Sequence, residues 1–212
     1  VCFIYVRPKE FYLKLEMMRD VIEEPINALL DINGWDLQKA LRLLYKSNPT
    51  LFEWSNSPIV YQPTGFFELF QELINSYFQM KPGMYHYLNM AAGNYREYLK
   101  GEYVKAKKYF YVLRPILACR WILSEQCPPP MEFAALVDSQ LQLEYRPFVE
   151  ELLQLKMQHP EMKEIERIAP LNTYIEESLA ALEEDVAGAP SESLNSWDQL
   201  NSLFLPGLEW KR

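Results

Sequence analysis

Residues 30–54, LDINGWDLQKALRLLYKSNPTLFEW, constrain the fold of this chain more than any other segment. An aspartate, Asp31, ends an apolar run and shortly precedes an amphipathic helical pattern. The apolar residues that recur at helical spacing are Leu37, Ala40, Leu41, Leu44 and Tyr45. Asp36 suits the N-cap of this helix, and Asn48-Pro49 predicts its end. The segment therefore predicts a strand and a helix that present Asp31 at the edge of a sheet.

Short strand patterns precede this helix. Residues 1–6, VCFIYV, are β-branched and aromatic and stop at Arg7-Pro8, and residues 19–24 and 26–32 give two further strand candidates. Asn33-Gly34 is a turn signal, and residues 11–18 predict a short helix. Alternation of strands and helices over the first 60 residues is typical of α/β or α+β folds.

From about residue 66 onward the pattern is almost wholly helical. The predicted helices span residues 66–78, 84–99, 103–124, 131–137, 141–158 and 165–185. Their short connections predict a bundle packed beside the first part, and hence an α+β chain. We expect an α/β part at 1–62, a helical domain at 63–186 and a tail at 187–212 that docks through a few apolar anchors.

Composition narrows the function classes. A formal net charge of −8 argues against general affinity for nucleic acid but leaves room for a local basic groove. The three cysteines lack metal-ligand spacing, no apolar run is long enough for a membrane span, and we expect a cytoplasmic protein. His86 and His159 have no partner at metal-ligand spacing, and the serine-hydrolase elbow, Walker A loop and dinucleotide fingerprint are missing.

Several segments carry a family resemblance. They are VCFIYVRP, RDVIEEPI, LDINGWDLQKALRLLYKSNPTLFEWSNSPIVY, YHYLNMAAGNYREYL and KKYFYVLRPILACRWI. In this order they resemble the predicted nucleotidyltransferase family of the DNA polymerase beta superfamily, which includes an RNA-ligase-associated branch. The resemblance covers about residues 1–137. It implies a partial nucleotidyltransferase core at 1–62 followed by a helical substrate-binding domain at 63–186.

The resemblance also implies a catalytic centre. In the family a Gly-Ser turn and an Asp-x-Asp pair precede the strand that VCFIYVRP matches, so we expect both to be encoded upstream of Val1. The third acidic position matches Asp31. Two Mg²⁺ ions that bridge a triphosphate and an attacking hydroxyl need about three carboxylates, so we expect the chain as given to be inactive alone. The alternative is that Asp31 is a solvated or turn-capping residue at the end of a strand.

Basic residues supply the expected nucleotide contacts. Lys39 matches a basic position on the helix after Asp31, and the resemblance directs a basic face of a later helix towards the nucleotide. Lys107, Tyr111 and Arg114 lie four and three residues apart, which places them on one helical face. A solvated face is the alternative, and it is preferred for Lys105 and Lys108.

Other polar and aromatic residues admit two interpretations. Asn48 and Glu53 match the family pattern, but helix capping and a backbone hydrogen bond explain them as well. A set of tyrosines could stack a base or pack helices, and packing is the preferred interpretation. The set consists of Tyr85, Tyr87, Tyr95, Tyr98, Tyr103, Tyr109 and Tyr111.

The resemblance implies metal-dependent transfer of a nucleoside monophosphate from an NTP to a hydroxyl. Mg²⁺ and an NTP are the implied cofactors, and RNA or a protein is the implied acceptor. The alternative is a non-catalytic binding or scaffold protein built on a degraded transferase fold. The acceptor, the preferred NTP and the oligomeric state stay open.

Overall fold

A computed structural model describes residues 1–16, 18–25, 30–62, 64–158, 164–190 and 195–209. The chain forms two compact units, one of Val1–Phe78 with Ser193–Arg212 and the other of Gln79–Glu192. A small mixed sheet near the N-terminus and the helical bundle that follows confirm the predicted α+β class.

The first unit contains a three-stranded sheet. Its strands are β1 (Cys2–Tyr5), β2 (Val21–Pro25) and β3 (Asp31–Asp36), in the order β1-β3-β2. β1 runs parallel to β3, with Cys2 opposite Asn33, and β2 runs antiparallel, with Glu24 opposite Ile32. The first strand and the strand that contains Asp31, both predicted from the sequence, thus lie in one sheet.

The turn predicted at Asn33-Gly34 is wrong, because both residues lie inside β3. Gly34 faces the ring of Phe3, and a Cβ atom at Gly34 would come within 2.5 Å of the Phe3 Cζ atom. Glycine therefore serves here for the close approach of β1 to β3, a role that glycine often has inside strands. The strand predicted at 26–32 enters the described structure only from residue 30, since residues 26–29 lie outside it.

The helix predicted at 11–18 is also wrong in position. The structure has a single turn, α1 (Lys9–Tyr12), which Pro8 precedes at the N-cap with φ −54°. Beyond it Leu13 and Leu15 are 74% and 101% exposed. A helix continued through them would bury no apolar face, and packing supplies most of the stability of short helices.

The remaining helices of the first unit surround one apolar core. They are α2 (Leu37–Tyr45), α3 (Pro49–Ser55), α4 (Gly65–Ile74), a 3₁₀ turn (Asn75–Tyr77) and, from the C-terminal segment, α10 (Trp197–Gly207). The predicted caps are confirmed: the Asp36 carboxylate accepts from the Gln38 N–H at 2.9 Å, and Asn48 caps α3. The fully buried residues of α2 and α3 meet Phe70 and Ile74 of α4 in this core.

The C-terminal helix α10 lies within the segment expected to be a docked tail. Ser196 caps it by accepting the Asp198 N–H at 3.1 Å. Leu200 is 1% exposed, and the ring of Trp197 stacks on Tyr45 at a centroid distance of 3.9 Å. The apolar residues of this segment therefore follow a helix that packs into the first unit.

The second unit is a helical bundle with a small ribbon. Its elements are α5 (Met80–Tyr98), β4 (Tyr103–Lys105), α6 (Lys107–Glu125), α7 (Phe133–Gln140), a 3₁₀ turn (Leu143–Tyr145), α8 (Arg146–Gln158), β5 (Glu164–Glu166) and α9 (Ala169–Gly188). The prediction of continuous helices at 103–124 and 165–185 is wrong at both starts. There β4 and β5 pair antiparallel, with Val104 opposite Ile165. Val104 is 3% exposed, so burial of its side chain stabilises the ribbon. Each strand is too short for the alternation of buried and exposed residues to be recognised in the sequence.

A buried polar network fastens α9 to its neighbours. The Tyr109 hydroxyl donates to Asn172 Oδ1 at 2.7 Å and accepts the Ile168 N–H at 2.8 Å. Asn172 Nδ2 donates to the Leu99 carbonyl at 2.9 Å. Across the described ranges, helices fall short of the combined length and apolarity that a bilayer span requires.

Candidate functional site

Asp31 lies at the start of β3, beside the start of β1. The Val1 nitrogen donates to the Asp31 backbone carbonyl at 2.5 Å, and the Asn33 N–H donates to the Val1 carbonyl at 2.9 Å. Burial raises the pKa of the Cys2 thiol, and the Asp31 carboxylate adds to the rise. The Asp31 side chain is exposed to solvent.

The residues around Asp31 do not by themselves form a divalent-metal site. Among the described residues, no group of three or more His, Cys, Asp or Glu side chains is placed to hold an ion. Glu23, on the neighbouring strand, is engaged by Arg19 at 3.3 Å. Asp31 can therefore supply one oxygen ligand, whereas Mg²⁺ in phosphoryl-transfer sites is held by carboxylates together with substrate phosphates.

The second aspartate of this segment has a structural role. Asp36 is 2% exposed and caps α2. Its Oδ2 atom accepts a hydrogen bond from the Tyr12 hydroxyl at an oxygen–oxygen distance of 2.8 Å. Burial raises the pKa of Tyr12, and the bond to the Asp36 carboxylate adds to the rise. With both carboxylate oxygens occupied by donors, Asp36 is unsuited to bind a metal.

Lys39 lies on α2 in the same unit as Asp31. Its ammonium is 3.0 Å from Asp20 Oδ1 and 5.9 Å from the centre of the Trp35 ring. Trp35 in turn contacts Trp54 at a centroid distance of 4.3 Å. A phosphate bound by Lys39 would compete with Asp20 for the ammonium.

The other predicted nucleotide contacts lie together on α6, in the second unit. Lys107 is the first residue of this helix, and Tyr111 is 47% exposed. Arg114 is partly buried and donates to the Met131 carbonyl at 3.4 Å, which ties α6 to the segment before α7. Asp31 and Lys39 thus belong to one unit, and Lys107, Tyr111 and Arg114 to the other.

The tyrosines divide between packing and exposed positions. Tyr87, Tyr95 and Tyr109 are at most 4% exposed, which fits helix packing. Tyr85, Tyr103 and Tyr111 are 59%, 67% and 47% exposed. For these three residues the packing interpretation does not account for the side chain.

Lys108, which was expected to be solvated, contacts two tyrosine rings in the structure. The Lys108 ammonium lies 3.5 Å from the centre of the Tyr98 ring and 4.5 Å from that of Tyr111. Tyr111 follows Lys108 by three residues, so the local spacing was a usable signal. Tyr98 is on another helix, and its contact depends on how α5 packs against α6.

Comparison with known proteins gives a family and a relative. The model for the RNA repair pathway DNA polymerase beta family matches residues 1–206. The chain is 43% identical over 215 residues to the uncharacterized protein YcgL of Bacillus subtilis (strain 168), an alignment that covers 100% of this chain and 83% of the relative. No solved structure matches the chain.

Proposed function

Because the chain belongs to the RNA repair pathway DNA polymerase beta family, we propose that it is a Mg²⁺-dependent nucleotidyltransferase. In the proposed reaction it transfers a nucleoside monophosphate from an NTP to a hydroxyl of RNA. The hydroxyl oxygen forms a bond to the α-phosphorus, the bond from that phosphorus to the bridging oxygen breaks, and pyrophosphate leaves with the electron pair. The hydroxyl proton passes to solvent.

The position of Asp31 carries this proposal. Its carboxylate is exposed at the start of β3, beside the start of β1, which pairs in parallel with β3. The proposal assigns Asp31 as one metal ligand. The described residues do not complete a metal site, so they assign no further ligand.

The basic residues differ in how free they are to bind a phosphate. Lys107 is the strongest phosphate candidate, because it lies at the first position of α6 and forms no ion pair within the described ranges. Lys39 and Arg114 stay candidates, although Asp20 and the Met131 carbonyl already engage them. Tyr111 stays a candidate for stacking a base.

A non-catalytic binding protein is the second candidate function. It is favoured by the lack, among the described residues, of a cluster of three metal-binding side chains. Such a protein would bind nucleotide or RNA without turnover. Cytoplasmic location belongs to either proposal.

A transfer assay separates the two candidates. The product of the native gene is incubated with single-stranded RNA, Mg²⁺ and each NTP labelled at the α-phosphate. The enzyme proposal predicts label on the RNA that requires Mg²⁺ and disappears in EDTA. RNA that stays unlabelled with all four NTPs, while the protein binds RNA or NTP, would establish the binding protein instead.

A further inference from the structure

Lys108 is held between two tyrosine rings on the surface of the second unit. Its ammonium lies 3.5 Å from the Tyr98 ring centre and 4.5 Å from the Tyr111 ring centre, within the range of cation–π attraction. Within the described ranges no carboxylate forms an ion pair with Lys108. The cluster therefore places an ammonium group beside two aromatic rings, and the Glu97 carboxylate accepts a hydrogen bond from the Tyr98 hydroxyl.

The position of this charge is unfavourable for the isolated helix. Lys107 and Lys108 are the first two residues of α6, which has 19 residues, no acidic residue in its first turn and no side-chain cap at Ala106. Cations near a helix N-terminus oppose the helix dipole, at a cost of about 0.3–1 kcal/mol each. A local rule broken in this way commonly marks a functional site.

The surrounding segment is basic in an acidic chain. Residues 96–108 contain five of the 21 lysines and arginines, although the chain has a net charge of −8. The segment also contains Glu97 and Glu102, and Lys100 pairs with Glu176 at 3.6 Å. Arg96, Lys105, Lys107 and Lys108 form no ion pair within the described ranges, and of these Lys107 and Lys108 lie together at the start of α6.

We propose that Tyr98, Lys107, Lys108 and Tyr111 form a binding surface for single-stranded RNA. The two ammonium groups meet successive phosphates, and the exposed ring of Tyr111 stacks on a base. Surfaces for single-stranded nucleic acid combine these two elements, a positive track and aromatic platforms. The choice of RNA rests on the proposed function, in which RNA is the acceptor.

The test is fluorescence anisotropy with a labelled single-stranded RNA of about 12 nucleotides, a length within known site sizes. It is run on the full chain in EDTA without NTP, so the result does not depend on catalysis. We expect Tyr111→Ala to weaken binding at least about fivefold, the lower end for loss of one stacked base. Lys108→Gln should lower the slope of log affinity against log salt by about 0.7, the value for one phosphate contact to a single strand.

Matched controls come from the same unit. Tyr85 is 59% exposed, and the Lys156 ammonium lies 5.2 Å from the Phe110 ring centre. Tyr85→Ala and Lys156→Gln remove the same groups elsewhere and should bind RNA like the parent chain. Tyr111→Phe keeps the ring and should also bind normally.

Three results would overturn the proposal. The first is unchanged RNA affinity in both Tyr111→Ala and Lys108→Gln. The second is an equal loss in the control variants, which would indicate general charge attraction. The third is failure of the parent chain itself to bind the RNA in EDTA. If Lys108→Gln unfolds the chain, Lys107→Gln replaces it, because no ring contact involves Lys107 within the described ranges.

Discussion

Replacement of Asn172 by leucine should destabilise the second unit substantially. Asn172 is 5% exposed and joins α9 to Tyr109 and to the Leu99 carbonyl through bonds of 2.7 and 2.9 Å. Leucine has the same branching at Cγ and is no smaller than asparagine, so the change removes the hydrogen bonds without opening a cavity. It leaves the Leu99 carbonyl and the Tyr109 hydroxyl proton without these partners.

The magnitude follows from those two groups. A buried polar group that loses its partner costs about 1–3 kcal/mol. We therefore expect Asn172→Leu to lower the free energy of unfolding by about 3 kcal/mol, a figure that allows for partial rescue of the carbonyl by water. Urea unfolding followed by circular dichroism measures the change, with the m-value constant.

A control and a double-mutant cycle sharpen this test. Asn94 on α5 donates to the Met90 carbonyl at 2.8 Å near the surface, so Asn94→Leu should change stability by about 0.5 kcal/mol or less. Tyr109→Phe removes one of the unpaired groups, and its effect should be less than additive with Asn172→Leu by at least about 0.5 kcal/mol. A loss below about 1 kcal/mol for Asn172→Leu, or strict additivity, would refute the role assigned to the network.

Further predictions concern capping, thiols and pH. Asp36→Ala should cost about 2 kcal/mol in urea unfolding, because the α2 cap and the Tyr12 bond are both lost; a change within error would contradict this. Exposed Cys2 and Cys127 should react with a thiol reagent in the folded chain, whereas burial raises the pKa of Cys119 to about 12 and should delay its reaction until unfolding. Burial, with a hydrogen bond to the Glu176 carboxylate, raises the pKa of Tyr95 from 10.0 to about 12. The neutral tyrosine therefore contributes its full stabilisation below pH 10.0 and loses it as the pH rises towards 12. The urea midpoint should fall across that window, and Tyr95→Phe should reduce the fall.

Local patterns were sufficient for the helices and caps with strong signals. The helix α2 and its Asp36 cap follow from apolar spacing and a preceding aspartate, and β1 follows from a short run rich in β-branched and aromatic residues. The ribbon of β4 and β5 has three residues in each strand, too few for a period of two to stand out against the flanking helices. Gly34 was misassigned because Asn-Gly favours a turn unless another strand passes close by, and that contact with Phe3 is not local.

The candidate site was predictable to a similar extent. The resemblance singled out Asp31 as the third acidic position, and the pairing of β1 with β3 brings Asp31 beside the start of the first strand. The bond between Lys39 and Asp20 joins residues 19 apart, and sequence spacing does not reveal which lysine meets which carboxylate. The contact of Lys108 with Tyr98 depends on helix packing in the same way.

Asp31→Asn, measured in the RNA-labelling assay with the native gene product, tests the central claim most directly. The matched control is Glu24→Gln: Glu24 lies opposite Ile32, so its side chain is on the other face of the sheet from Asp31. We expect Asp31→Asn to lower the rate of transfer at least about 100-fold, or about 2.7 kcal/mol of transition-state stabilisation, while Glu24→Gln keeps the parent rate and both keep the parent Tm. Transfer by Asp31→Asn at the rate of the Glu24→Gln control would contradict the assignment of Asp31 to the catalytic centre.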